Sequence, residues 1–117
     1  MVFYNYLGEV IAYSEDGCHI YLFNGTPIAY IDDDSIYSFK GKHLGWFKHD
    51  WILDHEGRHL LFIEGARGGP VKPVRQLAPV KGLKQLLPLK GLKELKPLRP
   101  ITSLEWSPLS IENFFQI

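Results

Sequence analysis

One pattern of apolar and polar positions occurs four times in succession over residues 3–67. The copies read FYNYLGEVIAYSEDGC, IYLFNGTPIAYIDDDS, IYSFKGKHLGWFKHDW and ILDHEGRHLLFIEGAR. The sixth residue of each copy is a glycine, namely Gly8, Gly25, Gly41 and Gly57. The eleventh is aromatic, namely Tyr13, Tyr30, Trp46 and Phe62. Agreement at so many positions predicts four copies of one structural unit.

Each copy is typical of a β-hairpin, in which two strands flank a short turn. Asn24-Gly25 is a strong signal for a two-residue type I′ turn, which needs positive φ at both central residues. Such a turn would pair Phe23 with Thr26, and Tyr21 with Ile28. The face opposite the aromatic residues would then carry one column of small residues, namely Ala12, Ala29 and Gly45. These small residues would allow the hairpins to approach closely near a shared axis.

The four hairpins need one another, because an isolated two-stranded hairpin is marginally stable in water. We expect them to bury their aromatic faces against each other in a radial arrangement with pseudo-fourfold symmetry, which closes without long edge strands. A linear eight-stranded meander is the alternative. The fold class predicted for residues 1–69 is therefore all-β.

A second periodicity follows, in a segment that we call the tail (residues 70–106). Its apolar residues recur at every third position, and we call these twelve positions the apolar stripe: Val71, Val74, Leu77, Val80, Leu83, Leu86, Leu89, Leu92, Leu95, Leu98, Ile101 and Leu104. Each of the eight basic residues of the tail comes one place after a stripe residue, and we call them the cation column: Lys72, Arg75, Lys81, Lys84, Lys90, Lys93, Lys96 and Arg99.

The period of three predicts an extended, polyproline-II-like tail. A period of three drifts around an α-helix, and the internal prolines would break one. Polyproline II has three residues per turn and makes no internal hydrogen bonds, so a tail of this length would reach ~110 Å and its apolar stripe would need shelter. The tail is therefore expected to wrap the hairpins or to pair with other chains. Four nine-residue cycles beside four hairpins suggest one cycle per hairpin.

Charge divides the chain although its formal net charge is zero. Residues 1–69 carry five basic and ten acidic residues (−5), and residues 70–117 carry eight basic and three acidic residues (+5). We therefore expect the tail to lie across acidic loops of its own body or of a neighbouring copy, with the apolar stripe turned inward. Burial of the stripe should outweigh the exposed ion pairs.

Residues 107–117 are expected to form a short terminal helix that anchors the tail. Ser107 is a candidate N-cap and Pro108 suits the first helical position. The helix would bury Leu109, Ile111 or the pair Phe114 and Phe115.

Three segments of the chain resemble a known family. GKHLGWF, followed by ILDHEG and GGPVKPVRQL, is similar to the bacterial four-fold beta flower proteins, and the resemblance extends over nearly the whole chain. The resemblance implies the radial hairpin arrangement. It implies no activity.

No catalytic, cofactor-binding or metal-binding residue is predicted. The phosphate loop, the dinucleotide fingerprint, the nucleophile elbow and HExxH are all missing. His43 and His59 share a column on the face opposite the aromatic residues, and with Asp54, His55 and Glu56 nearby they could be proposed as a divalent-metal site. Their spacing matches no known ligand pattern, so packed or surface histidines are the favoured interpretation.

Acidic turns and the single cysteine receive similar interpretations. Glu15-Asp16 and the run 32–34 are expected to be solvated turns, with a docking surface for the tail as the alternative. Cys18, the only cysteine, excludes an internal disulfide and is expected to be inert. Nucleic acid is an unfavoured partner, because the stripe lacks stacking aromatics and the body is acidic.

These observations predict a non-enzymatic protein-interaction or structural module that binds protein or itself, with a homo-oligomer through the tail as one form. The alternative is a small-ligand or metal-binding domain with its site near the pseudo-fourfold axis. Because the chain has neither a leader pattern nor an apolar run of about 18 residues, we expect no membrane association and a cytoplasmic location.

Overall fold

The computed structural model describes all residues 1–117, which form eight strands and one helix. The strands are β1 (Val2–Tyr4), β2 (Val10–Tyr13), β3 (His19–Leu22), β4 (Pro27–Asp32), β5 (Ser35–Tyr37), β6 (His43–Lys48), β7 (Trp51–Leu53) and β8 (His59–Phe62), followed by α1 (Ile111–Phe115). Each strand pairs antiparallel with the next, and Tyr4 of β1 pairs with Phe62 of β8, so the sheet closes into a barrel. The predicted all-β ring of four hairpins is confirmed, and the linear meander is excluded.

One residue from each strand fills the interior of the barrel. The residues face each other in registered pairs: Phe3 with Ala12, Ile20 with Ala29, Ile36 with Gly45, and Ile52 with Leu61. All are fully buried, and in three hairpins a large residue faces a small one, as the column of small residues predicted. Alternation along each strand turns the other aromatic residues to the outer wall. There, rings of neighbouring hairpins pack against one another as expected, with Tyr13 on Tyr21 at 5.7 Å and Tyr30 on Tyr37 at 5.9 Å between ring centres.

The terminal helix is shorter than expected and begins later. Ser110 is its N-cap, and its hydroxyl accepts a hydrogen bond from the Asn113 amide at 3.0 Å. Ser107 was the predicted cap, but its hydroxyl instead donates to Asp54 Oδ2 at 2.6 Å. Phe114 and Phe115 are buried and complete the interior cluster. A Cβ on Gly45 would lie 2.9 Å from the Phe114 ring, so the small residue there admits the helix.

The hairpin turns contain three residues rather than two. Leu22 O accepts from the Gly25 amide at 2.9 Å, and the Leu22 amide donates to Thr26 O at 2.8 Å. Gly25 has φ +96°, whereas Asn24 keeps a negative φ. This is a type I turn followed by a glycine in a bulge, and it recurs in all four hairpins. The positive φ predicted at Gly25 is confirmed, and Gly41 in the third hairpin has the same sign, with φ +94°. The predicted type I′ turn is wrong.

The bulge changes which residues face outward. Tyr21 pairs with Pro27 instead of Ile28, because the bulge inserts one extra residue into the second strand. The column that contains His43 and His59 therefore moves to the aromatic outer wall. The ring centre of His43 lies 4.5 Å from that of Trp46. The prediction that these histidines lie opposite the aromatic residues is wrong for this reason.

Candidate functional site

The tail encircles the barrel, and each of its nine-residue cycles serves one hairpin. Residues 71–103 contain no helix or strand. Four backbone amides, each nine residues from the next, donate at 2.8–2.9 Å to the carbonyls of the turn glycines: Gln76 to Gly8, Gln85 to Gly25, Glu94 to Gly41 and Ser103 to Gly57. The suggested match of cycles to hairpins therefore holds along the tail.

The turn glycines are required twice over. Their positive φ suits the bulge, as described above. In addition, a Cβ on Gly8, Gly25, Gly41 or Gly57 would collide with a carbonyl oxygen of the tail, those of Val74, Leu83, Leu92 and Ile101 respectively. The glycine repeat in the hairpins and the triplet repeat in the tail thus meet at four equivalent contacts.

The cation column points inward and covers the aromatic wall. Six cations lie 4.6–5.8 Å from ring centres: Lys72 over Trp51, Arg75 over Tyr4, Lys81 over Tyr13, Lys84 over Tyr21, Lys90 over Tyr30 and Lys93 over Tyr37. Such contacts are each worth about 0.5–1 kcal/mol at exposed sites and more when desolvated. Tyr13, Tyr30, Trp46 and Phe62 are only 1–4% exposed, in keeping with a wall that lies beneath the tail.

The same cations reach the acidic loops that join the hairpins. Lys81 and Lys84 both pair with Glu15, and Lys93 pairs with Asp32. The hydrogen bond from Lys84 holds the pKa of Glu15 below its usual value, and that from Lys93 does the same for Asp32.

Asp34 completes this set of contacts. It pairs with Lys96 at 2.7 Å and with Arg99 at 3.3 Å, and the hydrogen bond from Lys96 lowers its pKa. The acidic turns are therefore the docking surface for the tail, which was the less favoured interpretation of the sequence. The tail lies across the acidic loops of its own body, which is one of the two arrangements that the charge division predicted.

The apolar stripe faces solvent, which contradicts the expectation that it turns inward. All twelve of its side chains are 72–98% exposed, and eleven of them exceed 90%. The physical reason is that the tail makes two kinds of contact with the barrel, and each kind uses one of its three columns. The third column of the tail, every third residue from Pro70 to Ser103, is rich in proline and glycine, and we call it the Pro/Gly-rich column. It carries the amides that bond to the turns, and the cation column covers the aromatic wall. The remaining column must point outward.

A polar cleft of about 510 Å³ lies between the third and fourth hairpins and α1. Within it, His43 Nδ1 is 2.9 Å from His55 Nε2, and His43 Nε2 is 3.1 Å from Ser35 Oγ. The His43 amide donates to Glu94 Oε1 at 2.7 Å. Burial, aided by the neighbouring His55, lowers the pKa of His43 to about 4. His43 is therefore uncharged at neutral pH, and one hydrogen bond joins it to His55.

The other candidate residues lie apart from this pair. His59 packs edge-on against Trp51 at 4.4 Å, so the structure joins His43 to His55 and not to His59. Cys18 is half-buried, and its Sγ lies 3.4 Å from Ile31 O. No three His, Cys, Asp or Glu side chains are grouped in a way that could hold a metal ion. The sequence identified both His43 and His55 as candidate residues. It did not predict the bulge in the third hairpin, which places His43 on the outer wall beside His55.

Comparison with known proteins agrees with this architecture. Neither a search of curated proteins nor a search of solved structures found a match. A family model described as "4-fold beta flower protein" matches residues 1–115, which include the hairpins, the tail and the whole of α1. The chain therefore belongs to the 4-fold beta flower protein family.

Proposed function

We propose that this protein is a non-enzymatic protein-interaction or structural module whose binding surface is the apolar stripe. The observation that carries the proposal is the near-complete exposure of twelve aliphatic side chains on a backbone that is bonded to the barrel. A row of exposed aliphatic side chains of this length is typical of interaction sites. Each such side chain gains about 1.5–3 kcal/mol when it is fully buried, so a partner that covers several of them gains substantial free energy.

The stripe is held ready for binding. A free polyproline segment would lose conformational entropy when it docks, and that loss would oppose binding. Here the hydrogen bonds of Gln76, Gln85, Glu94 and Ser103 and the inward cations already order the tail. Binding through the stripe therefore needs little further ordering.

The proposal includes a polyproline II conformation for the tail. A segment at ~3.1 Å per residue extends ~110 Å over 36 residues, which is about the circumference of a disc 36 Å across. The exposure of every third residue also fits three residues per turn. We further propose that the three segments, 1–69, 70–106 and 107–117, act as barrel, binding surface and anchor.

The proposed setting is the bacterial cytoplasm. A single free cysteine is compatible with a reducing compartment. No helix in the structure has the length and apolar character needed to cross a membrane.

The alternative function, a small-ligand or metal site near the pseudo-fourfold axis, has less support. The side chains that surround the axis are apolar and buried. The polar groups lie instead in the cleft beside His43. No contact of the structure favours this alternative over the stripe.

A binding experiment tests the proposal. The intact chain, a stripe variant (Leu83→Ser with Leu92→Ser) and a control variant (Tyr6→Ser with Leu7→Ser) are immobilised, and the proteins that bind from the host cell are quantified by mass spectrometry. Tyr6 and Leu7 are exposed apolar residues outside the tail, so the control removes similar surface elsewhere. We expect the stripe variant alone to lose bound protein, including added copies of the chain itself. Equal binding by all three would contradict the proposal.

A further inference from the structure

We propose that the partner of the apolar stripe is the apolar stripe of further copies of this chain, and that each copy contacts at least two neighbours. This inference rests on the proposed function and names its partner. It follows from the chemistry of the stripe, its area and its course around the barrel.

The chemistry of the stripe favours a surface like itself. Its side chains are Val, Leu and Ile, which offer no charge, donor or acceptor to a partner. The cations beside it are engaged with the aromatic wall and the acidic loops, as described above. A partner would therefore be matched by aliphatic surface alone, and every copy of the chain carries such a surface. The formal net charge of zero also removes long-range repulsion between copies.

The area of the stripe is that of an interface. An aliphatic side chain exposes roughly 100 Å² of apolar surface, so twelve expose about 1,200 Å². The largest apolar patch on a monomeric protein is about 300–600 Å², and one partner in a standard interface buries about 800 Å². The stripe as a whole is larger than both, and because it encircles the barrel this area is divided among more than one neighbour.

The course of the stripe determines the number of neighbours. Leu83 lies at the turn of the second hairpin, and Ile101 lies at the turn of the fourth. In a closed ring of four hairpins these two turns are on opposite sides. One neighbour against one side leaves the opposite side exposed, so that side can bind another copy. Contacts of this kind do not close at two subunits.

Sedimentation of the full chain over a range of concentrations tests the inference. The unmodified chain should have a mean mass that rises with concentration beyond twice the 13.5 kDa of one copy. A one-sided variant, Leu83→Ser with Leu86→Ser, should form smaller assemblies. A two-sided variant that adds Leu98→Ser and Ile101→Ser should form smaller assemblies still, with a mean mass below that of the one-sided variant at every concentration. These side chains are 93–98% exposed, so the variants should keep the unfolding midpoint of the unmodified chain.

Two results would overturn the inference. One is an unmodified chain that stays at 13.5 kDa at about 1 mM, and the other is an assembly that the two-sided variant leaves intact. The Tyr6→Ser with Leu7→Ser control should assemble like the unmodified chain. If the chain is monomeric but its stripe still captures a different protein, this inference fails and the proposed function stands. If the chain neither assembles nor captures a partner through the stripe, both fail.

Discussion

Replacement of two tail cations should loosen the tail more than replacement of two apolar stripe residues. The cation variant is Lys90→Gln with Lys93→Gln. Lys90 Nζ lies 4.6 Å from the centre of the Tyr30 ring, and Lys93 Nζ lies 5.8 Å from the centre of the Tyr37 ring. Lys93 also forms an ion pair with Asp32. Glutamine keeps much of the length of each side chain but removes its charge.

The expected loss follows from these three contacts. A cation–π contact at a partly exposed site contributes about 0.5–1 kcal/mol, and an exposed ion pair contributes about 0–1 kcal/mol. The sum is about 1–3 kcal/mol of the free energy that holds the third cycle of the tail on the barrel. If this cycle opens locally, amide exchange there should become about 5- to 150-fold faster.

Hydrogen exchange at individual amides measures this opening. The Gly91 amide donates to Phe39 O at 2.7 Å, and the Glu94 amide donates to Gly41 O at 2.8 Å. Both should exchange faster in the cation variant. The equivalent amides nine residues earlier, those of Gly82 and Gln85, bond to the second hairpin and should not change. They serve as the reference within the same molecule.

The matched variant is Leu89→Ser with Leu92→Ser. These side chains are 96% and 97% exposed, so their loss should leave exchange at Gly91 and Glu94 unchanged. Measurements are made at concentrations where both variants are monomers, because assembly would itself slow exchange. Fast exchange in the leucine variant, together with normal exchange in the cation variant, would refute the reasoning.

Three further predictions concern stability, each measured by urea unfolding. Gly25→Ala should cost at least 1 kcal/mol more than Gly17→Ala, because both have positive φ but only a Cβ on Gly25 would collide with the tail; equal costs would contradict this. Burial lowers the pKa of His43 from its usual 6.5 to about 4, so the unfolded chain binds its proton first and stability falls as pH drops through this window. We expect a loss of about 2 kcal/mol from this group between pH 7 and pH 5, which His43→Gln should abolish; an unchanged pH dependence would count against it. Asp54→Ala should cost about 3 kcal/mol, because this buried carboxylate accepts from Arg58 Nε and Ser107 Oγ, and Ser107→Ala should cost about half as much; costs below 1 kcal/mol would show that the anchor is unimportant.

Much of the fold could be predicted because local chemistry repeats four times. A glycine at the sixth position of each copy marked the turns, and aromatic residues at the eleventh marked one strand face. The interior pairs such as Ile20 with Ala29 followed from their alternation with those aromatics. The turn length was not predictable from Asn24-Gly25 alone, because the same pair suits a type I′ turn and a type I turn with a bulge.

The candidate site was harder to predict because its parts are far apart in sequence. His43 and His55 meet only because a bulge rotates one column onto the outer wall. Ser107 was expected to cap the helix, yet a buried carboxylate from the fourth hairpin competes for its hydroxyl. In both cases the partner, His55 for His43 and Asp54 for Ser107, is distant in sequence, so the pattern of neighbouring residues does not identify it.

The sequence by itself determined the four repeats and the three columns of the tail, because each depends on the periodicity of neighbouring residues. It favoured a ring of hairpins over a linear meander, but the long-range pairing of Tyr4 with Phe62 is what closes the ring. Only the tertiary structure decided which column faces the barrel. The twelve aliphatic residues suggested burial, but the barrel interior is already filled by its own eight positions together with Phe114 and Phe115 of α1. The outer wall is aromatic and bordered by carboxylates, and these groups attract cations. The turn carbonyls take the amides of the Pro/Gly-rich column. Because the cation column and the Pro/Gly-rich column both face the barrel, the apolar stripe must point into solvent.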